Sequence, residues 1–299
     1  MKRQLVDLPA GNFLLTRASF DDASNLPYLR LMNHGGEFFY ARPGGSFTLN
    51  FDTKSKRCIG WYDMRTGECH QCEAKREIDG KYEQCAECQR KTGFNPAFYN
   101  TTELSQQQAE LNAKPHILYL AYFAPDTVKV GITHAGRNLA RLLEQGARSA
   151  AILETFPSAG VARHYEAQIA RLPGVCESVQ LPRKIKLLTA PYNAAAARKV
   201  LEQTVAKIED SLNVSFDGWK YLELSRHLLT DAQLDCTSIS EITEPKISGS
   251  FAGMMGALLV MRHDSRLVFL SLKKYIGNNV EISHQIEPLD LAPLQTSLF

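Results

Sequence analysis

The 299-residue chain has no apolar run of the roughly 18 to 20 residues that a membrane span requires. Its first residues, MKRQLVDLPAGN, lack the apolar core of a secretory leader. The expectation is a soluble, cytoplasmic protein with no membrane partner. No one charge dominates either: 34 Lys and Arg face 32 Asp and Glu, a net charge of +2, so bulk charge does not by itself point to a polyanion. Internal repeats and long low-complexity tracts are missing, which excludes a solenoid. With 44% hydrophobic residues the chain can bury a substantial core, and its length suggests about two domains.

The charge is unevenly spread. Ala113 to Val200 carries 12 Lys/Arg against 5 Asp/Glu, a local +7, and the rest of the chain carries 22 against 27, or −5. A concentrated basic surface attracts DNA, RNA or another polyanion, although a merely solvated surface gives the same excess.

Seven cysteines are an odd number, and in a chain without a leader they argue for reduced thiols or a metal over a disulfide framework. Five lie between Cys58 and Cys88. Two CxxC pairs, Cys69-His70-Gln71-Cys72 and Cys85-Ala86-Glu87-Cys88, flank a dozen residues containing the turn Asp79-Gly80. Each such turn presents two sulfurs to one ion, and two turns complete a closed tetrahedral zinc site. The expected ligands are Cys69, Cys72, Cys85 and Cys88, with Cys58 and His70 as spare donors and a redox dithiol or ordinary buried thiols as the alternatives. A closed site has no open coordination position, so its role would be structural or in docking a partner. Cys176 and Cys236 lie alone and read as core thiols.

The fold class expected is α+β. Residues 1–57 form a β-rich N-terminal region, in which Pro43-Gly44-Gly45 marks a turn, and 58–100 the cysteine module. In 113–190, HILYLAYF and TVKVGIT are strands around Ala124-Pro125-Asp126, and GRNLARLLEQGA is a helix with Leu139, Leu142 and Leu143 on one face and Gly146 as its stop. AAILETF is a third strand, and SAGVARHYEAQIARL a second helix capped by Ser158, giving the order β-β-α-β-α. Residues 191–245 read as a helical connection whose face repeats Ala196, Val200, Val205 and Ile208. Residues 246–299 return to strands, as a small sheet or barrel. One arrangement open to them is packing with the N-terminal strands, which leaves the middle of the chain as an insertion. Tyr275-Ile276-Gly277 is expected to be a hairpin turn.

Within VKVGITHAGRNLARLLEQGA, Gly131 marks a bulge or a close backbone approach. Such an approach would suit a phosphate, with the Thr133 hydroxyl and the Arg137 charge beside it and His134 as a weaker candidate for moving protons. YLAYFAPDTVKVGIT, followed by one helix with Arg and another with Glu, resembles the GIY-YIG nuclease module. The spelling Tyr119-Leu120-Ala121, Lys129-Val130-Gly131-Ile132-Thr133 and Glu144-Gln145-Gly146-Ala147 resembles more closely an uncharacterised bacterial family, a domain of unknown function with a preceding cysteine-rich segment. The GIY-YIG resemblance implies a divalent-metal-dependent endonuclease. Tyr119 would help activate a water, Arg141 would stabilise the phosphorane charge, and Glu166 would hold Mg²⁺ or Mn²⁺. Lys129 stands where the second motif carries its tyrosine. Such roles suit phosphodiester hydrolysis.

Two other functions remain open. A non-catalytic nucleic-acid binder could hold phosphate in the same groove, since a protonated lysine grips phosphate but does not readily act as a base. A zinc-stabilised protein-interaction scaffold would use the basic surface only for solvation.

Overall fold

The structure, a computed structural model, describes residues 4–79, 82–95, 103–230 and 238–291. The N-terminal stretch forms β1 (Leu5–Asp7), β2 (Gly11–Phe20), β3 (Pro27–Met32), β4 (Phe38–Arg42) and β5 (Ser46–Asp52). Alternation shapes β5, whose Phe47, Leu49 and Phe51 recur with period two and are all buried. The cysteine segment contains β6 (Lys56–Arg57), β7 (Trp61–Tyr62), β8 (Cys69–His70) and β9 (Glu77–Ile78), with β6 paired to β9 and β7 to β8. Two short helices follow, α1 (Ala86–Thr92) and α2 (Gln106–Asn112).

From His116 come β10 (His116–Ala124), β11 (Thr127–His134), α3 (Ala140–Gln145), β12 (Ser149–Phe156) and α4 (Ala159–Ile169), in the order β-β-α-β-α. Next are β13 (Val175–Cys176), α5 (Leu181–Leu188), α6 (Ala194–Leu212), β14 (Lys220–Glu223) and α7 (Ser225–Leu228). The last strands are β15 (Ser240–Glu241), β16 (Lys246–Met255), β17 (Leu258–His263), β18 (Arg266–Ser271) and β19 (Asn279–Ser283). The molecule is a β-rich α+β protein. Among the described residues no helix is long and apolar enough to cross a membrane. Cys236 lies outside the described residues.

The two ends of the chain share one sheet, in the order β1-β4-β3-β2-β19-β5-β16-β17-β18-β15. Strand β19 lies between β2 and β5, so the C-terminal strands complete the N-terminal ones and the intervening chain is an insertion. The insertion carries its own sheet, β13-β11-β10-β12-β14. Period-two alternation along β10 divides the interior. Tyr119, Ala121 and Phe123 join the core shared with the ten-stranded sheet, whereas Leu118, Leu120 and Tyr122 join the core under α4 and α6.

Three expectations need correction. The buried stripe of α6 is Ala197, Leu201, Val205 and Ile208, one position on from the expected Ala196 and Val200 at its N-terminal end. Ala196 is exposed and Val200 only partly buried, because the helix is oriented by its contacts with β10 and β12 and the two alanines look alike in sequence. The same packing, with β14 paired to β12, builds residues 194–223 into the second layer, so they do more than connect. Tyr275-Ile276-Gly277 does not close a hairpin: β18 pairs with β17 and β15, and β19 with β2 and β5. Tyr275 instead stacks on Phe51 at 4.3 Å, and the Gly277 carbonyl accepts the Arg57 N–H at 2.7 Å.

Leu201 is fully buried beneath the smaller sheet. Leu201→Ala is expected to cost about 2–5 kcal/mol in stability, through lost transfer energy and the cavity left behind. Thermal or urea unfolding measures this; an unchanged midpoint would show that α6 does not hold the layer together.

Candidate metal centre and candidate anion-binding cleft

The sulfurs of Cys58, Cys72, Cys85 and Cys88 all lie within 4.8 Å of one another. Cys58 follows β6, Cys72 follows β8, Cys85 caps the N-terminus of α1, and Cys88 lies in its first turn. Backbone bonds hold the arrangement: the Cys58 N–H donates to the Arg76 carbonyl at 2.8 Å, and the Cys85 N–H to Cys58 Sγ at 3.2 Å. Trp61 and Ile78 pack against the group. The Cys72–Cys85 sulfur separation is 3.9 Å. A zinc tetrahedron with bonds of about 2.3 Å has edges of about 3.8 Å, so the donor set fits such an ion. Burial pushes the Cys58 and Cys88 thiols up, so a bound cation is what would favour their thiolates.

Cys69, expected as a ligand, is replaced in this cluster by Cys58. It lies on β8, where successive side chains face opposite ways, and its sulfur receives Arg30 Nη1 at 2.8 Å and lies 3.6 Å from Tyr40 Oη. His70 stacks on Trp61 at 4.0 Å. Cys176 is half-buried on β13, with its thiol 3.5 Å from the Val128 carbonyl.

Gly131 pairs with Tyr119 across β10 and β11. A Cβ at Gly131 would lie 2.5 Å from Tyr119 Oη and 2.6 Å from Cζ, so the glycine makes room for the phenol ring of its neighbour. The close approach anticipated from the sequence is thus made by Tyr119. Burial pushes the Tyr119 hydroxyl up, and Arg141 opposes the shift. Lys129 is also buried; its ammonium lies 6.0 Å from the Tyr119 ring centre and donates to the Val130 carbonyl at 3.1 Å. Burial lowers its pKa, with Glu166 opposing and Arg141 reinforcing the effect. Glu166 accepts from Arg163 Nη1 at 2.7 Å, and Arg163 also reaches Glu177 at 3.1 Å. Tyr119, Lys129, Arg141 and Glu166 therefore form one electrostatic neighbourhood, although Glu166 is already ion-paired. Thr133 is buried.

Arg141 belongs to a second group centred on Glu144. The Glu144 carboxylate meets Arg17 at 2.8 Å, Arg137 at 2.7 Å and Arg141 at 3.7 Å, and accepts the Ser19 hydroxyl. Burial works against its ionisation, but Arg17 and Arg137 outweigh that and hold its pKa down to about 2. The Gln145 amide, turned so that its oxygen faces the guanidinium, accepts from Arg141 Nη2 at 3.0 Å and Nε at 3.1 Å. Gly146, in the left-handed conformation, ends α3 directly after these groups, as expected of a glycine stop.

These arginines open onto a cleft of about 430 Å³ between the N-terminal strands, the β7–β8 hairpin and the start of α3. Among the described residues six cations line it, Arg17, Arg30, Arg65, Arg137, Arg141 and Lys114, against the carboxylates Asp22 and Asp63. Even with Glu144 included, cations outnumber carboxylates six to three. Tyr62, at the wall, is pushed up by burial and pulled down by Arg17, Arg30 and Arg137. His134 also lines the cleft, and burial together with His116 and Lys114 lowers its pKa, which keeps it largely neutral near pH 7.

Of the residues singled out from sequence, Arg137, Arg141 and His134 line the cleft; Tyr119 and Lys129 feel the charge of Arg141, and both feel that of Glu166. Sequence reasoning missed Arg17, Arg30, Tyr62 and Glu144. A signal existed for Arg30: in YLRLM it is the one charged residue of a buried strand.

A protein-family model described as a protein of unknown function, DUF2797, matches residues 46–280. The chain belongs to that family. No curated protein and no solved structure matches it. The matched range includes the four clustered cysteines and the residues from Tyr119 to Glu166, while Arg17 and Arg30 lie before it.

Proposed function

We propose that this family member binds nucleic acid by its phosphates, using the arginine-lined cleft as a grip, and that the four-cysteine cluster holds a structural zinc. The observation that carries the reading is the six-to-three excess of cations on one concave surface, with Arg17, Arg137 and Arg141 oriented by a shared carboxylate. Guanidinium forks match phosphate oxygens better than any other side chain. Zinc would lock the segment that carries the β7–β8 hairpin, which forms one wall of the cleft.

Binding without cleavage is the favoured form of the reading. The Tyr119 hydroxyl is buried and hard to ionise, Lys129 donates to a backbone carbonyl, and Glu166 is engaged by Arg163. The endonuclease reading is supported by the electrostatic coupling of Tyr119 and Lys129 to both Arg141 and Glu166 and by the β-β-α-β-α order, which suits a GIY-YIG-like module. In that form Glu166 would hold Mg²⁺ or Mn²⁺ largely through waters and substrate.

Titration of labelled DNA and RNA at several salt concentrations tests both. With about four phosphates held, affinity for a single strand should fall about 50-fold between about 50 and 200 mM salt. Arg141→Ala should weaken binding and reduce the salt slope by a little under one unit. Absent or salt-independent binding removes the reading. Cleavage with Mg²⁺ or Mn²⁺ that disappears in Glu166→Gln would establish the nuclease form.

A further inference from the structure

We infer that the cleft takes single-stranded nucleic acid and reads it by stacking on bases as well as by holding phosphates; this rests on the phosphate-grip reading above. The cleft interleaves aromatic rings with its cations. Phe94, on the loop after α1, lines it with 54% of its surface exposed, an unusual situation for a phenyl ring. Tyr62 and Tyr40, both half-buried, line it as well. Arg65 stands beside them, paired with Asp63 at 2.8 Å and about half exposed.

A duplex hides its base faces within the stack and offers a protein only groove edges and backbone. The exposed Phe94 ring, set among arginines, has nothing to stack on in such a ligand. A single strand has free base faces, and rings combined with a positive groove are the usual means of holding one. Shape points the same way: a concavity of about 430 Å³ suits one or two splayed nucleotides, whereas an intact duplex could only lie across its mouth. Arg137 and Arg141 reach the cleft from the turn before α3 and from its first residues, whereas Phe94 and Arg65 reach it from the cysteine segment. Phosphates are therefore assigned to Arg137 and Arg141 and bases to Phe94 with Arg65.

The test uses the full zinc-loaded chain and four labelled probes of equal length: single-stranded DNA, single-stranded RNA, blunt duplex DNA and an abasic single strand. The expected result is at least ten-fold tighter binding of the normal single strands than of the duplex or the abasic strand. Phe94→Ala should weaken single-strand binding about five-fold or more, and Phe94→Trp should restore it, with little change for the abasic strand. Phe94 is exposed, so neither substitution threatens the fold. DNA and RNA binding alike would show a site indifferent to the 2′-hydroxyl, and a preference for one would identify the sugar it reads; either supports the inference. Equal affinity for normal and abasic strands would overturn stacking while leaving the phosphate grip standing. Tighter duplex binding would overturn the single-strand assignment, and no binding to any probe would remove the phosphate reading as well.

Discussion

Cys58→Ser is expected to abolish metal retention, and Cys69→Ser to leave it intact. Elemental analysis of the purified chain decides the matter, with thiol titration of the folded protein as a second measure. The geometry is unambiguous about which four sulfurs converge: Cys58, Cys72, Cys85 and Cys88 lie within 4.8 Å of one another. Serine at position 58 would leave three thiolates and a weak oxygen donor for the proposed zinc. Structural zinc sites contribute on the order of 10–16 kcal/mol to the folding of small modules, so losing one ligand should also unfold much of the cysteine segment. That segment has little else to hold it, since its strands are two residues long and α1 has seven residues. Cys69→Ser would disturb the Arg30, Tyr40 and Gly67 contacts at the cleft wall and none of the four clustered sulfurs. Retention of metal by Cys58→Ser, or its loss from Cys69→Ser alone, would overturn this ligand assignment.

The contrast between those two cysteines shows how much could be read from the sequence. Spacing alone favours the paired CxxC units, and three of those four sulfurs, Cys72, Cys85 and Cys88, do converge. Spacing carries no information about the strand at Cys69, which turns that sulfur away, or about the β6–β9 pairing that brings Cys58 beside Cys85. Local periodicity fared better: the order of elements from β10 to α4, the buried Leu142 and Leu143 and the Gly146 stop are present, although α3 begins only at Ala140, after a 3-10 turn at Ala135–Arg137, and the expected Leu139 precedes it, partly buried. Long-range assembly was less legible. Arg17 reaches Glu144 across 127 residues of sequence, and no local pattern marks such a pair. Gly131 was legible as a close approach but not in its cause, because the ring that fills the space belongs to the neighbouring strand.

Glu144→Gln is expected to make the protein less stable and, at low salt, a tighter binder. Glu144 ionises at about 2 in the folded chain against an ordinary value of 4.5. Its folded pKa is thus depressed, so its contribution is fully present above about pH 4.5 and is lost as the pH falls through the folded value near 2. A shift of that size corresponds to an upper bound of about 3 kcal/mol, reduced towards about 1–2 because Arg17 and Arg137 remain partly exposed. The variant should lose roughly this amount at neutral pH, and the gap between parent and variant should close as the pH drops below about 4. Other carboxylates also contribute to acid unfolding, but they are common to both proteins and cancel in the difference. Affinity should move the other way. Glutamine removes the negative charge that now competes with phosphate for three guanidinium groups, so the local positive potential rises and the salt dependence of binding steepens. Urea unfolding across pH, together with nucleic-acid titrations at two salt concentrations, measures both effects. If Glu144→Gln leaves stability at neutral pH unchanged, the carboxylate does not hold the arginines together. If it lowers affinity at low salt, orienting those arginines matters more to the grip than the charge they gain.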